Sequence, residues 1–441
     1  MSEKSLSADA SKGTEFASES LSYDVRKTGA APPDNQEIQN EPASEKLVIH
    51  PGEAPDGGLT AWLVVVAFGL SNSWGVFQAY YEENLLRHTS PSVIAWIGSV
   101  QYALVYLPAL VTGRLFDLGY FKIPCFAASC VFVVCTFLIA ECTQYLHFFL
   151  IQGLSIGVCC GIIVGPALVA VSHWFYKKRG LALSLTAIGA SCRSTVFPVV
   201  AQSLIPLIGF EWTVRVFGFI LIATLGMGNI FLKRRLPPVN VRGGLFNLKV
   251  FRNAAYSIFC ISGIMAFLGL YTALTYMSVS AVAIGIPKKF SFDILAIANA
   301  SSTFGRVSAG LLGDKVGALN TMAAFTAVAG IMTFAWPFAK NEIQLIVISS
   351  IYGFSTGGYV SLFAVAAVAM GKIEDAGRRV GMFMSLAAFG AISGPPISGA
   401  ISSASGGFFE AGYYAGGIIM CAVVLLLLAR YLHLGGLWGK C

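Results

Sequence analysis

Apolar runs of about 20 residues recur along the chain from Gly58 onward, with short polar segments between them. A helix of that length crosses the ~30 Å hydrocarbon core of a bilayer and satisfies its own backbone hydrogen bonds there. The runs lack the alternation over ~10 residues that marks a membrane β-strand. The pattern therefore predicts twelve membrane-spanning helices, at about 60–82, 92–113, 121–141, 147–172, 181–206, 213–232, 254–284, 292–312, 320–338, 343–370, 379–402 and 411–432.

The polar segments divide the chain into regions. Residues 1–56 are rich in Ser, Glu, Ala and Pro, with eleven acidic and five basic residues, and predict a disordered tail. Residues 233–253 form a basic linker that separates six spans from the other six, and its apolar end at 244–251 predicts a segment lying along the membrane surface. The expected regions are a tail at 1–56, six-helix halves at 57–232 and 254–433, the linker at 233–253 and a short end at 434–441.

Composition and charge support a membrane protein. Hydrophobic residues make up 56% of the chain and charged residues only 12%, whereas soluble domains carry about 25% charged residues. With residues 1–56 inside, the inner loops and the C-terminus hold seventeen Lys and Arg and the outer loops five, which predicts that both termini are cytoplasmic. The basic residues lie in short clusters between apolar runs, so nucleic acid is not an expected partner.

A short Gly/Asp pattern follows the second span of each predicted half. Gly113 and Asp117 have the same spacing as Gly310 and Asp314, about 197 residues later, and only the later copy is completed by a glycine at the expected place, Gly317. In the first copy Gly119 comes one residue early, and the basic residues usual after the pattern are missing. The repeat predicts a duplicated, all-α membrane protein of two halves.

Four segments carry a family resemblance that spans residues 57–435. They are Pro55–Trp62 (PDGGLTAW), Ser71–Tyr81 (SNSWGVFQAYY), Trp174–Gly180 (WFYKKRG) and Ser393–Gly399 (SGPPISG). Together with the Gly/Asp pattern, they resemble fungal members of the monocarboxylate porter family of the major facilitator superfamily. The resemblance implies twelve transmembrane helices in two six-helix halves and secondary transport by alternating access, with no enzyme activity and no cofactor.

The chain departs from that family at positions that bear on the substrate. Animal monocarboxylate porters carry a Lys in the first span, and the region from Asn72 to Gln78 has none. They also carry an Asp one turn before the Arg of the eighth span, a place that Ser302 occupies in this chain. The resemblance therefore implies transport without fixing lactate or pyruvate as the substrate.

Two arginines lie within apolar spans. Arg306 stands eight residues before Asp314, about 12 Å along a helix, and Arg193 stands in the outer half of the fifth span. A charge at such depth is costly unless it is paired or hydrated, so it usually faces a cavity. We expect Arg306 and Arg193 to bracket an anionic substrate. The alternatives are a structural pair or inward snorkelling for Arg306 and an outer-end pairing of Arg193 with Glu82, Glu83 or water.

The Gly/Asp pattern suggests a gate. A carboxylate at the end of the second or eighth span can accept hydrogen bonds from the facing helix end. We therefore expect a gating role for Asp117 and Asp314, with Gly113, Gly310 and Gly317 shaping the turns and contacts around them. A solvated turn Asp is the alternative. Gly394-Pro395-Pro396 is expected to break the eleventh span, as a hinge or a kink.

Aromatic and hydroxyl side chains recur at helical spacing on the spans expected to line a central cavity, the first, fourth, seventh and tenth. Such a face suits an organic molecule with a ring or chain and polar ends, although packing between helices uses the same residues. The candidate substrate contacts, besides the two arginines, are Asn72, Gln78, Tyr80, Tyr271, Thr275, Tyr352, Ser355, Thr356 and Tyr359.

The predicted function is secondary transport of a small organic anion, a mono- or dicarboxylate, at the plasma membrane, with a vacuolar or other organelle membrane as the alternative. No Asp or Glu lies deep in a span, so a proton remains only a candidate co-substrate. Efflux of an acidic secondary metabolite is a second hypothesis, and a non-transporting nutrient sensor on the same fold is a third. The expected partners are the anion and membrane lipid, and we expect a monomer.

Overall fold

The computed structural model describes residues 80–87, 89, 91–238, 244, 248–436 and 439. The predicted tail, most of the first span, and the candidate contacts Asn72 and Gln78 lie outside the described residues. Arg193 lies in a described helix, but its side chain is outside the described part. Regular secondary structure within the described ranges is entirely helical.

Twelve α-helices follow one another along this part of the chain. They are α1 Pro91–Tyr106, α2 Ala109–Asp117, α3 Lys122–Ile139, α4 Tyr145–Phe148, α5 Gly157–Trp174, α6 Arg179–Phe231, α7 Ala254–Ala283, α8 Lys288–Val316, α9 Ala318–Ala335, α10 Glu342–Ala369, α11 Ala376–Ser405 and α12 Phe409–Leu434. Short π and 3-10 turns extend or join them, at Tyr81–Leu85, Phe149–Ile156, Leu248–Arg252, Trp336–Phe338 and Ile373–Asp375.

Eight helical segments of the described chain are long and apolar enough to cross a membrane. They are Lys122–Ile139, Tyr145–Trp174, Ser203–Phe231, Ala254–Ala283, Ala318–Phe338, Glu342–Ala369, Ile373–Ser405 and Phe409–Leu434. Each overlaps a span that the apolar pattern predicts, and most of the ends agree to within a few residues. The all-α membrane architecture expected from the sequence is therefore confirmed.

Two predicted spans lie within α6, which consists of two helices that meet at a kink. The helix α6 covers the predicted spans 181–206 and 213–232, and Gly209 within it has φ 79° and ψ 168°. A positive φ is readily adopted only by glycine. Gly209 therefore marks the junction between the fifth and sixth spans.

The expected break at Gly394-Pro395-Pro396 does not end the helix, since α11 runs from Ala376 to Ser405 with both prolines inside it. A hinge or kink there stays a prediction. The prolines lack the N–H groups that would bond the preceding turn. Beside them, the hydroxyl of Tyr276 in α7 donates a hydrogen bond of 2.9 Å to the carbonyl of Pro395, which ties α11 to α7.

Candidate functional site

The carboxylate of Asp314, in the last turn of α8, bonds to the beginning of α6. One of its oxygens accepts a hydrogen bond of 2.7 Å from the N–H of Gly180, and the other accepts one of 2.9 Å from the N–H of Leu181. The first N–H groups of a helix have no partner within the helix and carry partial positive charge. The carboxylate therefore caps a helix that is remote from it in sequence.

Asp117, the last residue of α2, makes the same contact with the beginning of α11. Its two oxygens accept hydrogen bonds of 3.0 Å from the N–H of Gly377 and 2.8 Å from the N–H of Arg378. We call the contact of Asp117 with α11 the first latch and that of Asp314 with α6 the second latch. Each latch ties the N-terminal part of the chain, up to residue 238, to the part from residue 248 onward.

Glycines allow the backbones to approach at both latches. A Cβ placed on Gly113 would lie 2.1 Å from the carbonyl oxygen of Gly377, and one on Gly377 would lie 2.3 Å from the carbonyl oxygen of Gly113. At the second latch, a Cβ on Gly180 would lie 2.8 Å from the carbonyl oxygen of Gly310, and one on Gly310 would lie 2.9 Å from that of Gly180. A side chain at any of these positions would push the two helices apart.

The structural role of Gly317 differs from that of Gly113 and Gly310. It joins α8 to α9 with φ 111°, a backbone conformation that residues with a side chain rarely adopt. It therefore lets the chain turn immediately after the second latch.

The carboxylate of the first latch is buried. Burial raises the pKa of the Asp117 carboxyl from 3.8 to about 7, and the nearby Asp375 adds to the rise. The N–H donors of Arg378 and Gly377 and the positive charge of Arg234 lower that pKa in part. The carboxylate is thus stabilised mainly by the helix end that it caps.

The predicted substrate arginine Arg306 points from α8 toward α6. Its Nη1 donates a hydrogen bond of 3.1 Å to the carbonyl of Ala187 in α6, and the side chain is half-buried. Its guanidinium is also close enough to the hydroxyl groups of Tyr106 and Tyr271 to act on them electrostatically. The structure places this cation beside polar groups from two other helices.

Those hydroxyls belong to a group of four tyrosines, which we call the tyrosine cluster: Tyr102 and Tyr106 of α1, Tyr271 of α7 and Tyr359 of α10. The hydroxyl oxygens of Tyr106 and Tyr271 lie 3.3 Å apart, and the ring centroids of Tyr102 and Tyr271 lie 5.6 Å apart. The hydroxyl of Tyr359 is electrostatically coupled to that of Tyr106. The cluster gathers hydroxyl donors from three helices next to Arg306.

The members of the tyrosine cluster differ in exposure. Tyr102 and Tyr271 are half-buried, like Arg306, whereas Tyr106 is 9% exposed and Tyr359 is fully buried. The ring of Phe267 packs at 5.2 Å from the ring of Tyr106 and at 5.8 Å from that of Tyr359. Within the described residues, the buried hydroxyl of Tyr359 has no hydrogen-bond partner.

Other predicted contacts use their hydroxyl groups for backbone bonds. Tyr352, which is fully buried, donates to the carbonyl of Leu270. Ser355 and Thr356 donate to carbonyls of their own helix, α10. Thr275 donates to the carbonyl of Tyr271 at 2.8 Å. The structure therefore brings Tyr271 near Arg306 and Tyr359 near Tyr106, and it leaves these four residues in backbone contacts.

The remaining described candidate, Tyr80, packs its ring on that of Phe210 at a centroid distance of 4.8 Å. Sequence reasoning missed Tyr102 and Tyr106, because the expected cavity lining came from the first, fourth, seventh and tenth spans alone. These two tyrosines stand four residues apart on the second span, so they share one helix face. Two tyrosines on one face of an apolar helix could therefore have been recognised from the sequence as candidates for the cavity lining.

Comparison with known proteins decides the family. A model described as Major Facilitator Superfamily matches residues 60–341. The chain belongs to the major facilitator superfamily. Its fold agrees with two solved transporters of that superfamily. A human organic anion transporter matches with a TM-score of 0.66 at 15% identity, over 83% of this chain and 97% of its own. The Escherichia coli fucose:proton symporter matches with a TM-score of 0.62 at 16% identity, over 84% and 96%.

Facilitators from fungi are more similar in sequence. The Aspyridones efflux protein of Emericella nidulans is 32% identical over 84% of this chain and 79% of its own length. The riboflavin transporter of Saccharomyces cerevisiae is 32% identical over 79% of this chain and 73% of its own length. The chain is therefore a multi-pass membrane transporter of the facilitator superfamily, and its relatives are transporters rather than enzymes.

Proposed function

We propose that this facilitator exports an acidic organic compound across the plasma membrane by alternating access. The observation that carries the proposal is the juxtaposition of Arg306 with the hydroxyl groups of the tyrosine cluster. A guanidinium binds a carboxylate or a similar oxyanion through charge-assisted hydrogen bonds. Hydroxyl donors and aromatic rings around it suit a compound that joins an acidic group to an apolar body.

The direction of transport is proposed from the relatives. A relative at 32% identity is named as an efflux protein for aspyridones, and this favours export of a secondary metabolite over uptake of a simple mono- or dicarboxylate. The family relatives also favour a transporter over a nutrient sensor. The proposed orientation, with both termini in the cytoplasm, places the two latches at the cytoplasmic end.

The latches supply a mechanism for alternating access. Each latch consists of hydrogen bonds between one carboxylate and one helix end, so separation of the two parts of the chain would break both together. We infer that breaking and re-forming them opens and closes the cytoplasmic path to Arg306 and the tyrosine cluster. A proton is the candidate co-substrate.

The test is transport in proteoliposomes that contain the purified protein. Labelled aromatic and aliphatic carboxylic acids and their neutral methyl esters would be compared in counterflow assays at two pH values. We expect exchange of an acid and little exchange of its ester. Arg306→Gln should lower the acid exchange at least about tenfold, which corresponds to about 1.4 kcal/mol of lost interaction.

The matched control is Arg215→Gln. Arg215 is paired with Glu141 at 2.6 Å on an exposed surface, away from the tyrosine cluster, so its loss should leave exchange unchanged. Movement of the esters but not the acids would refute the anion proposal. Wild-type exchange by Arg306→Gln would remove Arg306 from the substrate site.

A further inference from the structure

The two latches differ in the residue that follows the carboxylate. Asp314 is followed by Lys315, so the second latch has a cation next to it in sequence. Asp117 is followed by Leu118 at the corresponding position. The contacts with the opposite helix are nevertheless alike, since each carboxylate accepts two backbone N–H bonds. The first latch thus lacks the adjacent cation that the second latch has.

An arginine from a distant part of the sequence lies at the end of α2. Arg234 stands three residues beyond the end of α6, and its Nη1 donates to the carbonyls of Phe116 and Asp117, the latter at 2.9 Å. Its guanidinium carbon lies 5.1 Å from the centroid of the Phe116 ring. A cation at the C-terminal end of a helix interacts favourably with the free carbonyls there.

The geometry of Arg234 is fixed on its other side as well. Its Nε donates at 2.7 Å to the carbonyl of Leu236, and its Nη2 donates at 2.9 Å to that of Pro237. The planar guanidinium therefore bridges the linker and the end of α2 with several bonds at once. Such a fork of donors holds one orientation in a way that a lysine ammonium cannot.

Neighbouring residues anchor this beginning of the linker. Arg235 donates from Nε to the carbonyl of His173 at 2.8 Å, near the end of α5. The indole N–H of Trp174 donates to the carbonyl of Lys233 at 2.9 Å. The segment 233–235 is thus held on two helix ends, which keeps Arg234 in place beside Asp117.

We propose that Arg234 is the positioning cation of the first latch, supplied by the linker between the two parts of the chain in place of a basic residue at position 118. Arg234 keeps the end of α2 and the Asp117 carboxylate aligned with the first turn of α11. Displacement of the linker removes this cation and weakens the first latch. The inference concerns the latch itself and rests on the proposed alternating access only for its effect on transport.

The test measures latch closure directly. Spin labels would be attached at Tyr120→Cys and Lys372→Cys, two exposed positions that flank the first latch, in a background without the native cysteines that retains transport. Distance distributions would be recorded without substrate by pulsed electron paramagnetic resonance. We expect Arg234→Ala to lower the ratio of short to long distances at least fivefold.

Relocating the charge is the decisive step. Leu118→Lys in the Arg234→Ala background should restore the ratio to within twofold of the parent, because it copies the arrangement of Asp314 and Lys315. Arg215→Ala, a remote arginine of the same type, should have no effect. If Arg234→Ala does not reach the membrane, Arg234→Gln replaces it, since the amide retains a donor without the charge.

Two outcomes would overturn the proposal. An unchanged distance distribution in Arg234→Ala would show that the latch closes without this residue. A latch lost in Arg234→Ala and not restored by Leu118→Lys would show that the arginine only caps α2 and does not act through its charge. Because substrate is absent from the measurement, failure to find an exported acid would leave this result intact.

Discussion

At the scale of single residues, the most informative group is the hydroxyl of Tyr359. It is fully buried, and within the described part of the chain it has no hydrogen-bond partner. A buried hydroxyl left without a partner costs roughly 1–3 kcal/mol. A transporter that retains such a group in the tyrosine cluster gains a donor and acceptor for a bound molecule.

Tyr359→Phe should therefore stabilise the empty protein and weaken substrate binding. We expect the midpoint of thermal unfolding to rise by a few degrees, since removal of an unsatisfied group is worth about 1 kcal/mol. The apparent KM for the exported acid should rise about fivefold or more. The measurements are thermal unfolding in detergent and transport in proteoliposomes.

Tyr352→Phe is the matched control on the same helix. The hydroxyl of Tyr352 donates to the carbonyl of Leu270, so its removal should destabilise the protein by about 1 kcal/mol and leave KM unchanged. If both variants lower the unfolding midpoint equally, Tyr359 has no special role.

Asp117 gives a prediction about pH. Its carboxyl has a pKa of 3.8 in an exposed setting and about 7 in the folded protein. The folded state therefore holds the proton more tightly than the unfolded chain does. The contribution of this group to the free energy of unfolding is fully present below about pH 4 and is lost as pH rises through about 7. Arg234, Arg379 and Asp375 are the charged groups that act on it, and Arg378 donates its backbone N–H.

The amount by which the thermal unfolding midpoint of wild type exceeds that of Asp117→Asn should therefore become smaller between pH 5 and pH 8. The corresponding difference in the free energy of unfolding changes by at most ~1.4 kcal/mol per pH unit. Glu141→Gln, which removes an exposed carboxylate paired with Arg215, serves as the control. An advantage of Asp117 that grows with pH would contradict a raised pKa for this carboxyl in the folded protein.

At the scale of elements, close packing of α2 against α11 requires glycine. Gly113→Ala should hinder closure of the first latch, because the new Cβ would lie 2.1 Å from a backbone carbonyl that cannot move independently of α11. We expect transport to fall at least about tenfold. Labelling of a cysteine placed at Tyr120 should become faster.

Gly226→Ala separates this packing effect from the general effect of alanine in a helix. A Cβ on Gly226, in α6, meets nothing within 4 Å. Alanine favours the helix by about 0.5–1 kcal/mol over glycine, so this variant should be as active as wild type and slightly more stable. Equal losses in the two variants would argue against a steric block at the first latch.

Element positions were accessible from the sequence, because length and hydropathy alone are enough to identify a membrane helix. Within the described residues the predicted spans overlap the helices. The depth of Arg306 in the membrane stays a prediction from its distance to Asp314. Contacts between remote helices were not accessible. Tyr106 meets Tyr271, and Tyr276 meets the carbonyl of Pro395, only after folding.

At the scale of the whole molecule, the two latches connect the same two parts of the chain. Their opening is therefore expected to be cooperative, since neither helix pair can separate while the other remains bonded. Asp117→Asn and Asp314→Asn should each raise cytoplasmic accessibility. The double variant should shift the opening equilibrium by about the sum of the two single effects, since both latches break in the same opening step.

The measurement is a double-mutant cycle on the spin-label distances across the first latch. Distances across the first latch that do not change in Asp314→Asn would indicate two independent contacts instead of one gate. The pair Ser405→Ala and Glu141→Gln, at exposed sites away from the latches, should show neither an effect nor a coupling.

The reciprocal form of the latches bears on the origin of the chain. The acid of the N-terminal part caps a helix of the C-terminal part, and the acid of the C-terminal part caps a helix of the N-terminal part. This is the arrangement of an isologous contact in a two-fold dimer, where residue i meets j and j meets i. Fusion of two such subunits into one polypeptide frees each copy to diverge. The first copy has Leu118 at the position where the second copy has Lys315, which is a divergence of that kind. The two ends of one ancestral contact can then be tuned separately by selection.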